Sequence, residues 1–211
     1  ETLPIPKGRN IITPVLTFST TISMMLKAGY EPNFIDINDK TFCIDESQIE
    51  SVINKKTKAI SIPNLLGNLP NWPLIYKIAR KYKLFIIEDS ADTLGATINN
   101  FSSGKFSDIS ITSFYGSHII NCAGNGGIAC FNNNQIYNRA KLLRSWGRSS
   151  SLFDSSSEKI ENRFNIKING IQYDKKFVFE ELGYNMEPSE MGSAFGLVQL
   201  KKLKFNLKKR T

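Results

Sequence analysis

At 211 residues the chain is long enough for one sizeable core or two small ones. An apolar fraction of 41% and a charged fraction of 22% are those of a globular domain, and no apolar run reaches the roughly 18 residues of a membrane span. The net charge of +8 favours anionic partners, yet the basic residues are scattered, with a small excess from Lys201 to Arg210 and no interleaved stacking aromatics, so nucleic acid is not an expected partner.

The first residues, Glu1-Thr-Leu-Pro-Ile-Pro, lack a basic segment followed by an apolar core, so no signal peptide is expected. Asn10–Leu16 is the first strand-like run, and Thr20–Ala28 reads as a helix stopped by Gly29. A second strand over Asn33–Ile37 is followed by a helix over Asp45–Asn54, where Asp45 and Gln48 come close to a capping box. Ala59–Pro63 is the third strand, and Pro73–Tyr82 is a helix with proline in its first turn. Strands follow over Leu84–Glu88, Ile109–Phe114 and Gly127–Phe131. These runs are almost continuously apolar, as in strands covered on both faces. Strands alternating with helices predict an α/β layered domain with a mostly parallel sheet. The serine-rich Gly147–Ser157 reads as a long loop, and a last helix is expected from Pro188 to about Lys209. The chain stops within that helical pattern and starts without methionine, so a longer parent protein is expected.

The three cysteines, Cys43, Cys122 and Cys130, are odd in number and show no C-x-x-C spacing, which argues against a disulfide framework or a zinc site and for reduced thiols in a cytoplasm. Asp89 closes an apolar strand, where α/β sheets bind ligands; an acid there can hold a positive ring nitrogen or simply cap a helix. Gly124-Asn-Gly-Gly127 can bring backbone amides to a ligand or form a plain strand-to-strand turn. Ser113 can donate to a phosphate. The chain's one histidine, His118, lies between this strand and this turn. With no second histidine and no carboxylate at ligand spacing, metal binding is not expected. A core histidine and a general base both remain open on position alone.

Four separated segments agree in order and spacing with one family. Ile11-Ile-Thr-Pro-Val-Leu-Thr-Phe-Ser-Thr20, Ile87-Glu-Asp-Ser-Ala-Asp-Thr-Leu-Gly-Ala96, the stretch from Ser113 to Gly127, and Gly183-Tyr-Asn185 resemble the DegT/DnrJ/EryC1/StrS nucleotide-sugar aminotransferases. The resemblance covers nearly the whole chain. It implies the fold type I pyridoxal-phosphate architecture, a homodimer, and a parent about twice this length. It assigns residues 1–146 to the central part of the cofactor-binding large domain, 147–182 to a long loop or insertion, and 183–211 to a motif and helix leading to a small domain. Carried over by position, Asp89 pairs with the pyridine nitrogen, Phe18 stacks on the ring, Ser113 binds the phosphate and Asn185 reaches the phosphate from the partner subunit. Asp92 lies where the aminotransferases usually have glutamine or histidine near the ring hydroxyl.

His118 stands at the position of the lysine that binds the cofactor covalently. Imidazole has no primary amine, so it cannot form that bond, but it can move protons near neutral pH. The same exchange marks the 3-dehydratases of 4-keto-6-deoxy nucleotide sugars, which Asp92, Leu66-Gly-Asn68 and Arg144-Ser-Trp-Gly-Arg148 also resemble. The branch implies pyridoxamine phosphate held without a covalent bond, His118 as general base, and loss of the C3 hydroxyl of a nucleotide-linked keto sugar in 3,6-dideoxysugar and O-antigen synthesis. Ser149, Ser150 and Ser151 stand where a subgroup with an iron–sulfur cluster has cysteine, so the cluster-free type, with glutamate as amino donor, fits better. Asn125 departs from the acid usual in its turn. The rival readings are an aminotransferase relative with an altered catalytic residue and a non-catalytic protein of the same fold.

Overall fold

The computed structural model describes residues 1–154 and 159–210. Part of the serine-rich loop expected over 147–157 therefore lies outside the described residues. The described chain forms two compact units, one of Leu3–Asn132 with Ser189–Arg210, the other of Asn133–Pro188.

In the first unit β1 (Asn10–Pro14), α1 (Ser19–Lys27), β2 (Glu31–Ile35), α2 (Ile49–Val52), β3 (Thr57–Pro63), α3 (Trp72–Tyr82) and β4 (Phe85–Asp89) alternate as expected. A small hairpin of β5 (Thr97–Ile98) and β6 (Phe101–Ser102) precedes β7 (Ile109–Ser113) and β8 (Gly127–Phe131). The sheet order is β2-β1-β3-β4-β7-β8. All pairings are parallel except β7 with β8, so the sheet is mostly parallel. Chain progression reverses across β1, which places a topological switch point at the carboxyl ends of β1 and β3.

The core lies on the face that carries α3. Ile12, Ile35, Ile60, Ile62 and Ile86 from four strands meet Trp72, Ile75, Ile78 and Ala79 of α3, and Ile44 and Ile49 close the far side. Asn71 caps α3 by accepting from Leu74 N at 3.2 Å, and Pro73 occupies its first turn, where a missing N–H costs nothing. The helix expected over Asp45–Asn54 is shorter: a 3-10 turn over Glu46–Gln48 leads into α2. Asp45 caps it by accepting from Ser47 N at 3.1 Å, but Gln48 donates to the Asp45 carboxylate at 2.7 Å and not to its backbone as a true capping box does. Coverage on both faces holds for β1, which is buried throughout, and fails for β8, whose residues 127–130 are exposed.

The expected last helix is two, α6 (Glu190–Lys201) and α7 (Leu203–Arg210), separated at Lys202. In the second unit α4 (Asn134–Arg144) is capped by Asn133, a short α5 (Ile160–Arg163) follows, and β9 (Ile166–Ile168) pairs with β10 (Ile171–Tyr173) as a hairpin. Among the described residues no helix is long and apolar enough to cross a membrane.

Candidate active site

The carboxyl edge of the sheet collects most of the residues singled out by sequence. Asp89 is the last residue of β4, Ser113 the last of β7, and Phe18 follows β1 by four positions at the start of α1. β8 runs the other way, so Gly127, paired with Ser113, brings the glycine turn to the same edge. Phe18 leaves 71% of its surface exposed, which makes its ring available to a flat ligand.

Asp89 sits on backbone that its neighbours fix. Its carbonyl accepts from Asn64 N at 2.8 Å, and Ser90 N donates to Ile111 O at 2.7 Å. Its Oδ1 accepts from Ala91 N at 3.1 Å. Burial pushes its carboxyl above the ordinary carboxylate range; the Ala91 amide opposes this, the Asp92 and Glu88 carboxyls reinforce it, and the His118 imidazole opposes it. A desolvated acid with further acids beside it is a place where a cation binds well.

His118 is presented by a closed loop. Phe114 N donates to Gly126 O at 2.9 Å and Cys122 N to Phe114 O at 3.0 Å, which pins the two ends of the loop together. Inside it His118 N donates to Tyr115 O at 3.1 Å, while the buried Ile119 and Ile120 anchor the loop below. Helix α7 braces it from outside: Asn206 donates to Ile119 O at 3.2 Å, and Arg210 donates to Ser117 O at 3.2 Å and His118 O at 3.3 Å. The imidazole Nδ1 lies 3.3 Å from Asp92 Oδ1, with 18% of the His118 side chain and 43% of the Asp92 side chain exposed. Asp89, Asp92 and His118 thus form one cluster. It holds no amine.

Asn185 belongs to the second unit and is exposed. Its strand-like segment pairs antiparallel with Ser145, through Trp146 N to Tyr184 O at 2.8 Å and Met186 N to Arg144 O at 2.9 Å. Two motifs forty residues apart in sequence, Arg144–Arg148 and Gly183–Asn185, are therefore one structural feature. The contact demands glycine: a Cβ on Gly147 would collide with the Glu181 carbonyl, and one on Gly183 would strike the backbone of Trp146 and Gly147.

Sequence reasoning missed the residue next to Asp89. Glu88 is fully buried, and its oxygens accept from Asn64 Nδ2 at 3.0 Å, Ser90 Oγ at 2.5 Å, Ser107 Oγ at 3.2 Å and Ser103 Oγ. Asn64 in turn accepts from Trp72 Nε1 at 2.9 Å. A cavity of about 140 Å³ adjoins this network, lined by Glu88, Ser90, Thr93, Ser103 and Cys130 among others. Asp89 does not line it: it follows Glu88 on β4 and faces the opposite side of the sheet. The signal was present as a polar residue, Glu88, in register with the apolar α3-facing positions of β4.

The whole chain, residues 1–211, matches the DegT/DnrJ/EryC1/StrS aminotransferase family. It is 34% identical over 198 residues to the lipopolysaccharide biosynthesis protein RfbH of Salmonella typhimurium, covering 93% of this chain and 45% of that protein. Among solved structures it superposes on an E. coli GDP-4-keto-6-deoxy-D-mannose-3-dehydratase with bound hydrated PLP at a TM-score of 0.81 and 32% identity, covering 95% of this chain and 50% of the other. It superposes equally well on an aminotransferase from Psychrobacter cryohalolentis, with a TM-score of 0.82 and 27% identity over 97% and 48% of the two chains. The chain spans about half the length of the curated relatives it matches. Its fold is that of the pyridoxal-phosphate-dependent transferases, and by match over its full length the chain belongs to the DegT/DnrJ/EryC1/StrS family.

Proposed function

We propose that the parent protein is a cluster-free nucleotide-sugar 3-dehydratase that uses pyridoxal phosphate and its pyridoxamine form. The observation that carries this reading is an imidazole, braced beside Asp89 at the sheet's carboxyl edge, where the family's resemblance puts a lysine. The donor set fits the cofactor. Asp89, desolvated and flanked by acids, would hold a protonated pyridine nitrogen; Phe18 would stack on the ring; Ser113, whose Oγ now accepts from Tyr115 N at 3.2 Å, would turn its proton to the phosphate. Asp92, carried over as a neighbour of the ring hydroxyl, sits beside both Asp89 and His118. Asn185 of a second subunit would complete the phosphate site in a homodimer.

When bound, the cofactor supplies an amine that joins the sugar's C4 ketone and a ring that takes up electrons. His118 would serve as the general base, taking up a proton at C4′ and giving one to the departing C3 hydroxyl. A histidine at position 118 would offer no primary amine there to cleave the joined cofactor and sugar by transimination, which would leave time for elimination. Glutamate would restore the amine form, and the substrate class is a nucleotide-linked 4-keto-6-deoxy sugar.

Replacing His118 with Asn in the full-length protein is expected to lower turnover by about 10²–10⁴-fold while pyridoxal phosphate still binds. The aminotransferase reading, favoured by the equal likeness to an aminotransferase structure, predicts a different result. Borohydride added with pyridoxal phosphate would attach the cofactor irreversibly to an active-site lysine, and that outcome replaces the dehydratase proposal.

A further inference from the structure

The geometry points to Asp92 as a positioning residue that sets the tautomer of His118, so that Nδ1 carries the proton and Nε2 is the nitrogen that exchanges it. The inference rests on His118 being the proton-transfer group and concerns how that group is held.

Asp92 lies three residues past the end of β4, and His118 lies in the loop after β7, so their meeting is a product of the parallel β4–β7 pairing and not of sequence proximity. The contact is specific to one nitrogen: Nδ1 is 3.3 Å from Asp92 Oδ1. Among the described residues neither ring nitrogen makes a hydrogen bond, so the ion-pair contact at Nδ1 is what distinguishes them, and the His118 backbone is tied on both sides, by Tyr115 O within the loop and by Arg210 from α7. A backbone held this firmly leaves ring rotation as the main freedom, and a carboxylate facing Nδ1 restricts that as well. A neutral imidazole has one N–H; a carboxylate acceptor at Nδ1 selects the tautomer with the proton there. The lone pair is then on Nε2, as a base requires.

The charged and titratable groups around the ring are Asp92 and Asp89 from the loop and strand end of β4, Tyr115 from its own loop, whose ring stands edge-on at 6.5 Å, and the Arg210 guanidinium from α7. Asp92 makes the closest approach, so it is the one whose removal is expected to change the ring most.

The test uses ¹⁵N-histidine labelling of the full-length protein without a histidine tag, with the His118 signals assigned by their loss in His118→Asn. In the cofactor-free protein the neutral ring is expected to be the Nδ1–H tautomer. In Asp92→Asn the ring is expected to lose that preference. Asp92→Glu is expected to restore it. In turnover, Asp92→Asn should lower kcat. A wild-type ring found in the Nε2–H tautomer, or an unchanged tautomer in Asp92→Asn, overturns the assignment. Because the nitrogen spectrum needs no cofactor or substrate, it fails or holds independently of the dehydratase reading, which His118→Asn turnover decides.

Discussion

Glu88 and Asp89 are adjacent acids at the end of one strand, and their surroundings are opposite. Glu88 faces α3, is fully buried, and accepts from an amide and three hydroxyls. Asp89 faces the other side, accepts from one backbone amide, and has two further acids near it. The first has every oxygen answered from within the chain and has nothing left to offer a ligand. The second is left wanting a positive partner. A saturated carboxyl is suited to the scaffold and an undersupplied one to binding, and strand position alone does not tell them apart.

The largest effect should come from Glu88→Leu. It removes the acceptor used by the Ser103 and Ser90 hydroxyls and takes one acceptor from Asn64 Nδ2, which keeps Ser90 and Thr93, and one from the Ser107 hydroxyl, which keeps Gly104 O, at about 1–3 kcal/mol for each group left without a partner. A loss of about 3 kcal/mol or more is expected, read as a fall in the urea midpoint with an unchanged slope. A loss below about 1 kcal/mol would mean the network is not what secures the loop after β4. Next in size is Trp72→Phe. It keeps most of the apolar bulk inside the core but removes the donor to Asn64 Oδ1, and a loss of about 1–3 kcal/mol is expected by the same measurement. Adding Asn64→Leu to that variant should cost less than the sum of the two single changes, since both break one network.

The contrast also marks how far sequence reading reached. All six main strands were visible because their apolar runs are long and bounded by turn residues. Helix α3 was visible from Pro73 and its spacing. Helix α4 was not marked out: its sequence, Asn134 to Arg144, is polar on most of its surface and buries only Ile136, Leu142 and Leu143. The β9–β10 hairpin escaped because two three-residue strands give no measurable alternation. At the site, Asp89, Ser113 and His118 were legible as strand-end and turn residues. The Asp92–His118 contact was not, because it depends on which strands pair. Nor was the Asn64–Glu88–Trp72 network, which joins β4, α3 and the segment after β3 through side chains of no distinctive pattern.

The smallest expected effect on stability, and the one of opposite sign, belongs to Asp89→Asn. The amide has the same shape and can still accept from Ala91 N, while the cost of a desolvated charge beside Asp92 disappears. Because the folded-state value of Asp89 is raised, the folded chain binds more protons there than the unfolded chain between about pH 3.9, the unfolded value, and the raised value. Stability therefore falls as pH rises through that window, and the loss is complete above it. The Asn variant lacks this term. Its stability relative to the native chain should improve from acid to neutral pH, reaching a small gain or no change at pH 7, as read from urea midpoints at several pH values. Under the proposed function the same variant should bind pyridoxal phosphate far more weakly, since it lacks the carboxylate proposed to hold the ring nitrogen. A variant that is less stable at pH 7 than at pH 4, relative to the native chain, would place Asp89 with Glu88 as a scaffold acid.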